Sequence, residues 1–462
     1  MISHTSFPPA SAQLIDQTYR KVLWRLLPFL MLCYVINFIE RTNIGIAKLQ
    51  FMEDLQLPPT VYGWAVSIFF VGYLMFEVPS NLMLNRVGAR ATLLRIMVLW
   101  GLVSAGMMFV TSAASLYVMR FLLGAAEAGF VPGVFLYLTY WFPANRRARI
   151  TSTFYLALPA SVLIGSPLAG WIMKTFDGYA GLHGWQWLFV LEGIPAVIVG
   201  ITAWFYLQDK PERAHWLTAQ EKSVVSGALI AEEQHKAHGQ SKGGLGQVLR
   251  DPRLYLLGLV SFSSYVVSNM NNYWAPTLIR NSGVEDVFVV GLLGALPPIF
   301  AAVVMVLNSR HSDRTLERRW HAALPLMLAG LAIGLLPTFG DNTVMSIVLI
   351  GFLAGGHYAT LAVFWTIPSD YLPKASRAAG IAFVSTIGAL GAFVAPNVLT
   401  WTQKVTGSSS LGFYLTSAFI IAGSLTLLIA MPARLLPARK AVTGETGENG
   451  SGLAKLHSES PG

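Results

Sequence analysis

Long apolar runs recur from one end of this 462-residue chain to the other. Each run has about 20 residues or more, which is the length that an α-helix needs to cross a bilayer. In lipid every backbone polar group needs a partner within the chain, so each run must be a helix. We therefore predict an all-α membrane protein with 12 transmembrane helices, at 22–50, 61–82, 92–112, 115–141, 149–173, 186–207, 253–279, 286–307, 321–340, 343–367, 377–401 and 411–432.

Composition supports this fold class. Charged residues make up 12% of the chain and apolar residues 54%, whereas soluble domains carry roughly 25% charged residues. Residues 1–20 lack a basic region followed directly by an apolar run and a small-residue cleavage site, so we expect no cleaved signal peptide. Cys33 is the single cysteine, which excludes an intramolecular disulfide and a thiolate metal site.

The basic residues report orientation. The chain has 32 Lys and Arg and a formal net charge of +9. With twelve spans, every second loop lies on the same side of the membrane as both termini, and most of these basic residues are in those loops and in the termini. Four lie on the opposite side: Lys48, Lys174, Arg280 and Lys404. The positive-inside rule then predicts that both termini are cytoplasmic. The positive charge indicates membrane orientation, and we expect no nucleic-acid partner.

Two motifs recur after corresponding spans. "NRVGARATL" with Asn85 and Arg86 follows the second span, and "SRHSDRTLERR" with Asp313 and Arg314 follows the eighth. "YWFPANRRARITS" follows the fourth span and "SDYLPKASRAAGI" the tenth, at nearly the same offset. The pattern indicates two six-helix pseudo-repeated bundles. The predicted parts are a cytoplasmic N-terminal tail at 1–21, bundles at 22–207 and 253–433, a linker at 208–252 and a disordered cytoplasmic tail at 434–462.

The linker has its own helix signal. Thr218 and Glu221 form a capping-box pattern that opens an amphipathic helix, and "HGQSKGG" at 238–244 is typical of a flexible break. Carriers built from two such halves bind their ligand near the membrane midplane, where the halves meet.

Several long motifs carry a family resemblance: "IERTNIGIAKLQFMEDLQL" at 39–57, "YLMFEVPSNLMLNRVGAR" at 73–90, "RFLLGAAEAGFVPGVFLYLTYWFP" at 120–143, "WQWLFVLEGIPAV" at 185–197 and "QDKPERAHWLTAQEK" at 208–222. The sequence resembles the major facilitator superfamily and, within it, the anion:cation symporter family. Two positions depart from the family pattern: Glu40 precedes Arg41 where Asp is usual, and Asn85 replaces a loop acid.

The resemblance implies the major facilitator fold and proton-coupled import of a small organic carboxylate by alternating access. The family's substrates are sugar acids, hydroxy-diacids such as tartrate, and aromatic acids such as phthalate. It also implies a monomer in the bacterial inner membrane, with lipid around it and co-transported protons in place of a cofactor. It further implies that Arg41 binds the substrate carboxylate and that Tyr73 donates a hydrogen bond to the substrate.

Charges within the spans need a reason, because each costs about 2.5–3.5 kcal/mol even on the most lenient insertion scale. The first half supplies Glu40, Arg41, Glu77, Arg120, Glu127 and Glu192, and the second half almost none before Asp370. This asymmetry suggests that the first half carries ion coupling while the second shapes the substrate pocket.

Each of these charges has two interpretations. Arg41 can bind a carboxylate through its planar fork, or it can form an internal salt bridge that holds helices together. Glu127 can accept the coupled proton, or it can be permanently neutralised by Arg41 or Arg120. Glu40 can relay protons or simply pair with Arg120. Glu192 is interpreted as structural.

Further candidates complete the predicted site. Arg120 is expected to face an acid or the bound anion, and Asn272 and Tyr155 are expected to line the cavity, Asn272 beside a helix break at Pro276. Glu77, interpreted as a gate or a helix cap, joins the repeated loop residues in a predicted cytoplasmic gate: Glu77, Arg86, Arg90, Asp313 and Arg314.

The chain lacks the local signals of an enzyme or an ATP-driven pump. It has no GxxxxGK[ST] loop, no HExxH and no GxSxG, and we expect neither catalysis nor a metal site. Coupling would then come from an ion gradient or from the gradient of the substrate itself. An uncoupled facilitator, an anion exchanger and a transporter-like receptor remain alternatives at this point.

Overall fold

A computed structural model describes residues 11–237, 250–372 and 376–431. All regular structure in these three ranges is helical, without a strand. The predicted flexible break at 238–244, the Pro373 of the second repeat, residues 1–10 of the predicted N-terminal tail and the predicted tail at 434–462 lie outside the described residues.

The described helices follow the predicted order and form twelve spans. Spans 1–6, which we call the first half, comprise Ala12–Thr42 with Ile44–Asp54, Pro59–Val87, Ala89–Gly106, Ala113–Glu127 with Phe130–Thr139, Ala144–Tyr155 with Ala157–Thr175, and Gly184–Tyr206. Spans 7–12, the second half, comprise Pro252–Asn269 with Met270–Trp274 and Ala275–Asn281, Val287–Gly294 with Leu296–Thr315, Arg319–Phe339, Thr343–Phe364 with Thr366–Tyr371, Arg377–Thr406, and Ser410–Ala430. The linker helix is Ala219–Ala237.

Eleven of the described helices are long and apolar enough to cross a membrane. The twelfth span is span 7, which a π-helical segment at Met270–Trp274 divides into shorter pieces. Span 1 begins at Ala12, earlier than the predicted residue 22, and breaks at Asn43. The predicted fold class is therefore confirmed, with the first span longer than its apolar run.

The linker helix begins with a capping box and packs on the first half through ion pairs. The backbone N–H of Thr218 donates to Glu221 Oε2 at 2.8 Å, and the N–H of Glu221 donates to Thr218 Oγ1 at 3.2 Å, so the predicted capping box is confirmed. Lys21 Nζ lies 2.8 Å from Glu221 Oε2. Partial burial raises the pKa of Glu221, but the hydrogen bonds from Lys21 and Thr218 outweigh it and hold this pKa below its ordinary value.

The two halves meet at one end, which we call the closed end. Here Ser67 Oγ donates to the Phe393 carbonyl oxygen at 2.7 Å and accepts from Asn397 Nδ2 at 2.7 Å. Lys174 forms an ion pair with Asp286 across the same end, and the hydrogen bond from Lys174 holds the pKa of Asp286 below its usual value. These contacts join spans 2 and 11 and spans 5 and 8.

The opposite, open end shows contacts within each half. Arg90 donates from its backbone N–H to Asp209, at the start of the linker, and from Nε to the Trp204 carbonyl in the first half. Asp313 pairs with Arg318 at 2.6 Å in the second half. Arg86 and Arg314 are exposed. Arg90 thus bonds to the first half and to the start of the linker, and Asp313 bonds within the second half.

Glu77 needs a correction. It lies well inside the helix Pro59–Val87, so the interpretation as a helix cap is wrong. Its side chain is half-buried and interacts electrostatically with Arg41. A role in a gate stays a prediction.

The predicted topology can be tested by thiol labelling, because the single native cysteine, Cys33, is buried and gives little background. We expect Gln220→Cys, an exposed position on the linker helix, to react only from the cytoplasmic side. Asp341→Cys, exposed at the closed end, should react with an impermeant reagent added to intact cells. Labelling of Gln220→Cys from outside would overturn the orientation.

Candidate functional site

An ion pair between span 1 and span 4 forms the centre of the site. Arg41 Nε donates to Glu127 Oε1 at 2.8 Å, and the Arg41 Nη2 also contacts Oε1. The side chain of Glu127 is 3% exposed and that of Arg41 18% exposed. Such a pair is strong where water is excluded, and the partial exposure of Arg41 leaves one side of it accessible.

Close packing of spans 2 and 4 positions the Arg41–Glu127 pair. At Gly124 on span 4, a Cβ would overlap the carbonyl oxygen of Phe69 on span 2, so only glycine permits this approach. Glu127 lies three residues later, at the last residue of the helix Ala113–Glu127. The chain then turns at Gly129, whose φ of +86° favours glycine, before Phe130–Thr139 continues the span.

Tyrosines surround the pair. The Arg41 guanidinium carbon is 5.4 Å from the centre of the Tyr73 ring. Tyr34 interacts electrostatically with Arg41, Glu127, Tyr73 and Tyr155. Phenol hydroxyls can both donate and accept hydrogen bonds, so this ring suits a ligand with carboxylate and hydroxyl groups.

Span 7 adds two tyrosines that sequence reasoning missed. Tyr265 interacts electrostatically with Arg41, and Tyr273 with Arg41, Arg120 and Glu127. The available signal was their spacing of about two helical turns, which places both on one face of a helix. The site therefore includes side chains from both halves.

Arg120 is fully buried and lies within electrostatic reach of Glu127. Its Nε donates to the Ala65 carbonyl at 3.1 Å, and its guanidinium carbon is 4.7 Å from the centre of the Phe69 ring. Among the described residues it forms no ion pair, and Tyr273 lies beside its remaining nitrogens. The suggested pairing of Glu40 with Arg120 is therefore wrong: Glu40 faces Trp100 and Ser104 on span 3.

The break in span 7 follows from Pro276. Proline has no N–H, so it cannot donate to the Asn272 carbonyl one turn earlier, and its ring crowds that carbonyl. The helix widens to a π segment at Met270–Trp274, a local irregularity that is frequent at functional sites. The Tyr273 carbonyl then accepts a hydrogen bond from Tyr62 Oη at 2.8 Å, which links span 7 to span 2.

A second polar cluster lies nearer the closed end. Asn43, at the break in span 1, donates from Nδ2 to Glu192 Oε2 at 2.9 Å, and both residues are buried. They line a small cavity between the halves together with Asn271 and Asn272. Asn272 bonds to Ser268 and Asn271, so it faces this cavity.

The structure thus divides the predicted site residues into groups. Arg41, Tyr73, Tyr155 and Glu127 lie together, and Tyr155 is 37% exposed. Asn272 lies in the second cluster, and Glu40 lies within electrostatic reach of both Glu127 and Glu192. No group of three potential metal ligands from His, Cys, Asp and Glu occurs in the part of the chain that the structure describes.

Comparison with known proteins identifies relatives along most of the chain. Residues 30–396 match the Major Facilitator Superfamily. The chain is 41% identical to a candidate metabolite transport protein, NicT, of Pseudomonas putida, over 90% of this chain and 95% of that protein. It is 43% identical to a protein of Agrobacterium vitis named as a candidate tartrate transporter, over 89% of this chain and 91% of that one.

A solved structure shows the same fold. The inward-open conformation of the xylose transporter XylE from E. coli matches with a TM-score of 0.71 and 14% identity, covering 90% of this chain and 98% of that one. The twelve-helix architecture therefore agrees with a structure that was determined for a distant sequence.

The Arg41–Glu127 pair predicts a specific stability pattern. Arg41→Ala removes the partner of a buried carboxylate, which typically costs about 3–5 kcal/mol, so we expect a marked fall in the thermal unfolding temperature in detergent. Arg41→Ala combined with Glu127→Gln should recover most of this loss, because the buried charge is gone.

The control is Asp16→Asn, which breaks an exposed pair with Arg146 and should change stability by at most about 1 kcal/mol. If the effects of Arg41→Ala and Glu127→Gln simply add in the double variant, the two side chains do not form the pair.

Proposed function

The chain belongs to the major facilitator superfamily and is a transporter rather than an enzyme, and we propose that it imports a small organic carboxylate together with protons. One observation carries the proposal: the buried ion pair between Arg41 and Glu127. It joins a cation suited to a carboxylate ligand with an acid suited to carry a proton.

The pair supplies a coupling mechanism. While Glu127 is ionised, it occupies the Arg41 guanidinium and a substrate carboxylate must compete with it. A proton on Glu127 removes its charge and frees Arg41 for a two-pronged bond to the substrate. Substrate and proton then bind together, because an uncompensated Arg41 charge at this depth is costly. Tyr73 and Tyr155, beside the pair, are proposed to bind the rest of the substrate.

The proposed orientation places the closed end outside. Most Lys and Arg lie toward the open end, which the positive-inside rule assigns to the cytoplasm together with both termini. The structure then represents an inward-facing state in a bacterial inner membrane. The predicted gate at Glu77, Arg86, Arg90, Asp313 and Arg314 would close when the halves rock to open the other end.

The substrate class follows from the site and from a relative. One cation next to several phenols suits a hydroxy-acid or an aromatic acid, and the Agrobacterium vitis relative is named for tartrate. We propose a tartrate-like hydroxy-diacid as the first substrate to test, with sugar acids and aromatic acids next. Purified protein should be screened by thermal shift, and ligands that stabilise it should then be tested for uptake in proteoliposomes.

We expect substrate binding by Arg41 to need the planar, two-pronged shape of the guanidinium as well as its charge. We expect Arg41→Lys to weaken uptake almost as much as Arg41→Ala, because an ammonium is a point charge and does not replace a bidentate guanidinium. A lost hydrogen bond to a charged group is worth about 1.5–3 kcal/mol, or roughly ten-fold or more in KM. The control Arg310→Lys changes an exposed arginine. Wild-type substrate binding by Arg41→Ala would remove Arg41 from the site.

Glu127→Gln separates symport from facilitation. Glutamine mimics the protonated acid, so the loaded carrier can still reorient and exchange internal for external substrate. Uphill uptake driven by an imposed pH gradient should collapse, because the carrier can no longer release its proton. One pH unit is worth about 1.4 kcal/mol per proton, and 100 mV about 2.3 kcal/mol per net charge moved.

Proteoliposomes can apply the two gradients separately, with Glu285→Gln as an exposed control. Accumulation by Glu127→Gln equal to that of wild type would mean that another acid couples the proton, and Glu40 would be tested next. A wild-type protein that ignores both gradients would be a facilitator or an exchanger.

A further inference from the structure

The carboxyl of Glu192 lies outside the Arg41–Glu127 pair and has an incomplete set of partners. Glu192 Oε2 accepts from Asn43 Nδ2 at 2.9 Å. Glu192 Oε1 and Asn43 Oδ1 have no hydrogen-bond partner among the described residues, although the two residues are only 4% and 3% exposed. Two buried acceptor oxygens without a donor are costly.

A single proton resolves this arrangement. Protonated Glu192 gains an O–H group, which can donate to Asn43 Oδ1 while Asn43 Nδ2 donates to Oε2. The acid and the amide then form two parallel hydrogen bonds and both acceptors are satisfied. Ionised Glu192 leaves Asn43 Oδ1 without a donor and adds a buried charge.

No cation among the described residues compensates that charge. Arg41 on span 1 turns to Glu127, and Lys174 on span 5 pairs with Asp286. Lys48, on the helix Ile44–Asp54, lies 4.3 Å from the centre of the Tyr62 ring and 5.5 Å from that of Trp274.

Span 3 faces the cluster with Trp100 and Ser104, which lie beside Glu40, and its two arginines, Arg90 and Arg95, are near the open end. From span 8 the cavity is lined by apolar residues and glycine. The remaining titratable neighbour of Glu192 among the described residues is Glu40, which carries the same charge sign when ionised.

The cluster lies between the interface cavity and the coupling site. The cavity beside Asn43 and Glu192 lies between the halves on the closed-end side of Arg41. Glu40, one helical turn before Asn43 on span 1, interacts electrostatically with both Glu192 and Glu127. The three carboxyls therefore form a series that leads from the interface cavity to the ion pair.

We infer that Glu192 is a second proton-binding carboxyl of the carrier, loaded through the interface cavity and held in the closed-end state by its paired hydrogen bonds with Asn43. The inference rests on the proposed symport. On loading, a proton from water bonds to Oε1 of Glu192. On release it returns to water, through Glu40 and the open end.

The position of Asn43 in the break of span 1 also explains how a proton at Glu192 affects conformation. Asn43 separates the two helical pieces of span 1, and Gly45, two residues on, packs against the Asn272 carbonyl and Tyr273 of span 7. Protonation stabilises Asn43 in its present place and with it the contact between the halves. Loss of the proton removes one of the two hydrogen bonds that fix this segment.

The decisive variant is Glu192→Gln, because glutamine keeps both hydrogen bonds to Asn43 and the variant should fold as wild type does. Substrate accumulation in proteoliposomes is measured against the imposed pH gradient, and the slope gives the number of protons per substrate. We expect this number to fall by one in Glu192→Gln. The matched control is Glu53→Gln, an exposed acid at the end of the helix Ile44–Asp54, which should keep the wild-type number.

A second measurement detects the proton without transport. The infrared spectrum of wild-type protein should contain a protonated-carboxyl band that shifts in heavy water and is absent from Glu192→Gln. Asn43→Ala should shift this band, because the amide partner is removed. An unchanged proton number in Glu192→Gln overturns the coupling role, even if the infrared band is lost.

The two proposals fail separately. A wild-type protein without proton-driven uptake would refute the symport mechanism, and the infrared band would still decide whether Glu192 binds an exchangeable proton. Absence of the band from wild type, together with an unchanged proton number in Glu192→Gln, would refute only the present inference.

Discussion

The cost of an unpaired charge inside a membrane governs the arrangement of this protein. The described residues include four buried ionisable side chains of Glu and Arg, and all belong to the first half: Glu40, Arg120, Glu127 and Glu192. Glu127 is paired directly with Arg41, while Arg120 is stabilised by a backbone carbonyl and aromatic faces. A change of protonation at these side chains changes the charge that is buried and therefore the stability of the arrangement. These positions are thus where an ion gradient can act on the fold.

Many features could be predicted from the sequence because they depend on local patterns. Apolar runs predict the spans, since lipid permits only a helix there, and the linker capping box follows from the spacing of Thr218 and Glu221. Buried charges are also visible in the sequence as isolated acids and arginines in apolar runs. Arg41 and Glu127 were both expected to be important for this reason.

The partners of those charges could not be predicted with the same certainty. Arg41 and Glu127 are far apart in sequence, and their contact depends on how spans 1, 2 and 4 pack, which Gly124 permits through its approach to Phe69. The sequence also offered Glu40 as a partner of Arg120. In the structure Glu40 faces span 3 instead, because adjacent residues on a helix, here Glu40 and Arg41, point about 100° apart. Glu192, in the motif "LEGIP", was interpreted as structural, and its partner Asn43 lies in a break of span 1 that an apolar pattern does not reveal.

The absence of buried Asp, Glu, Lys and Arg from the described second half has a mechanical consequence. The described second half has no buried carboxyl of its own, so contacts at the closed end are its link to the charges of the first half. Two of those contacts use backbone carbonyls: Tyr62 donates to the Tyr273 carbonyl, and Arg280 donates to the Leu49 carbonyl at 3.0 Å. The Tyr273 carbonyl lies in the π segment that precedes Pro276, so an irregular part of span 7 supplies the acceptor of the first contact. The break in span 1 and the irregular segment of span 7 therefore both lie at the contact between the halves.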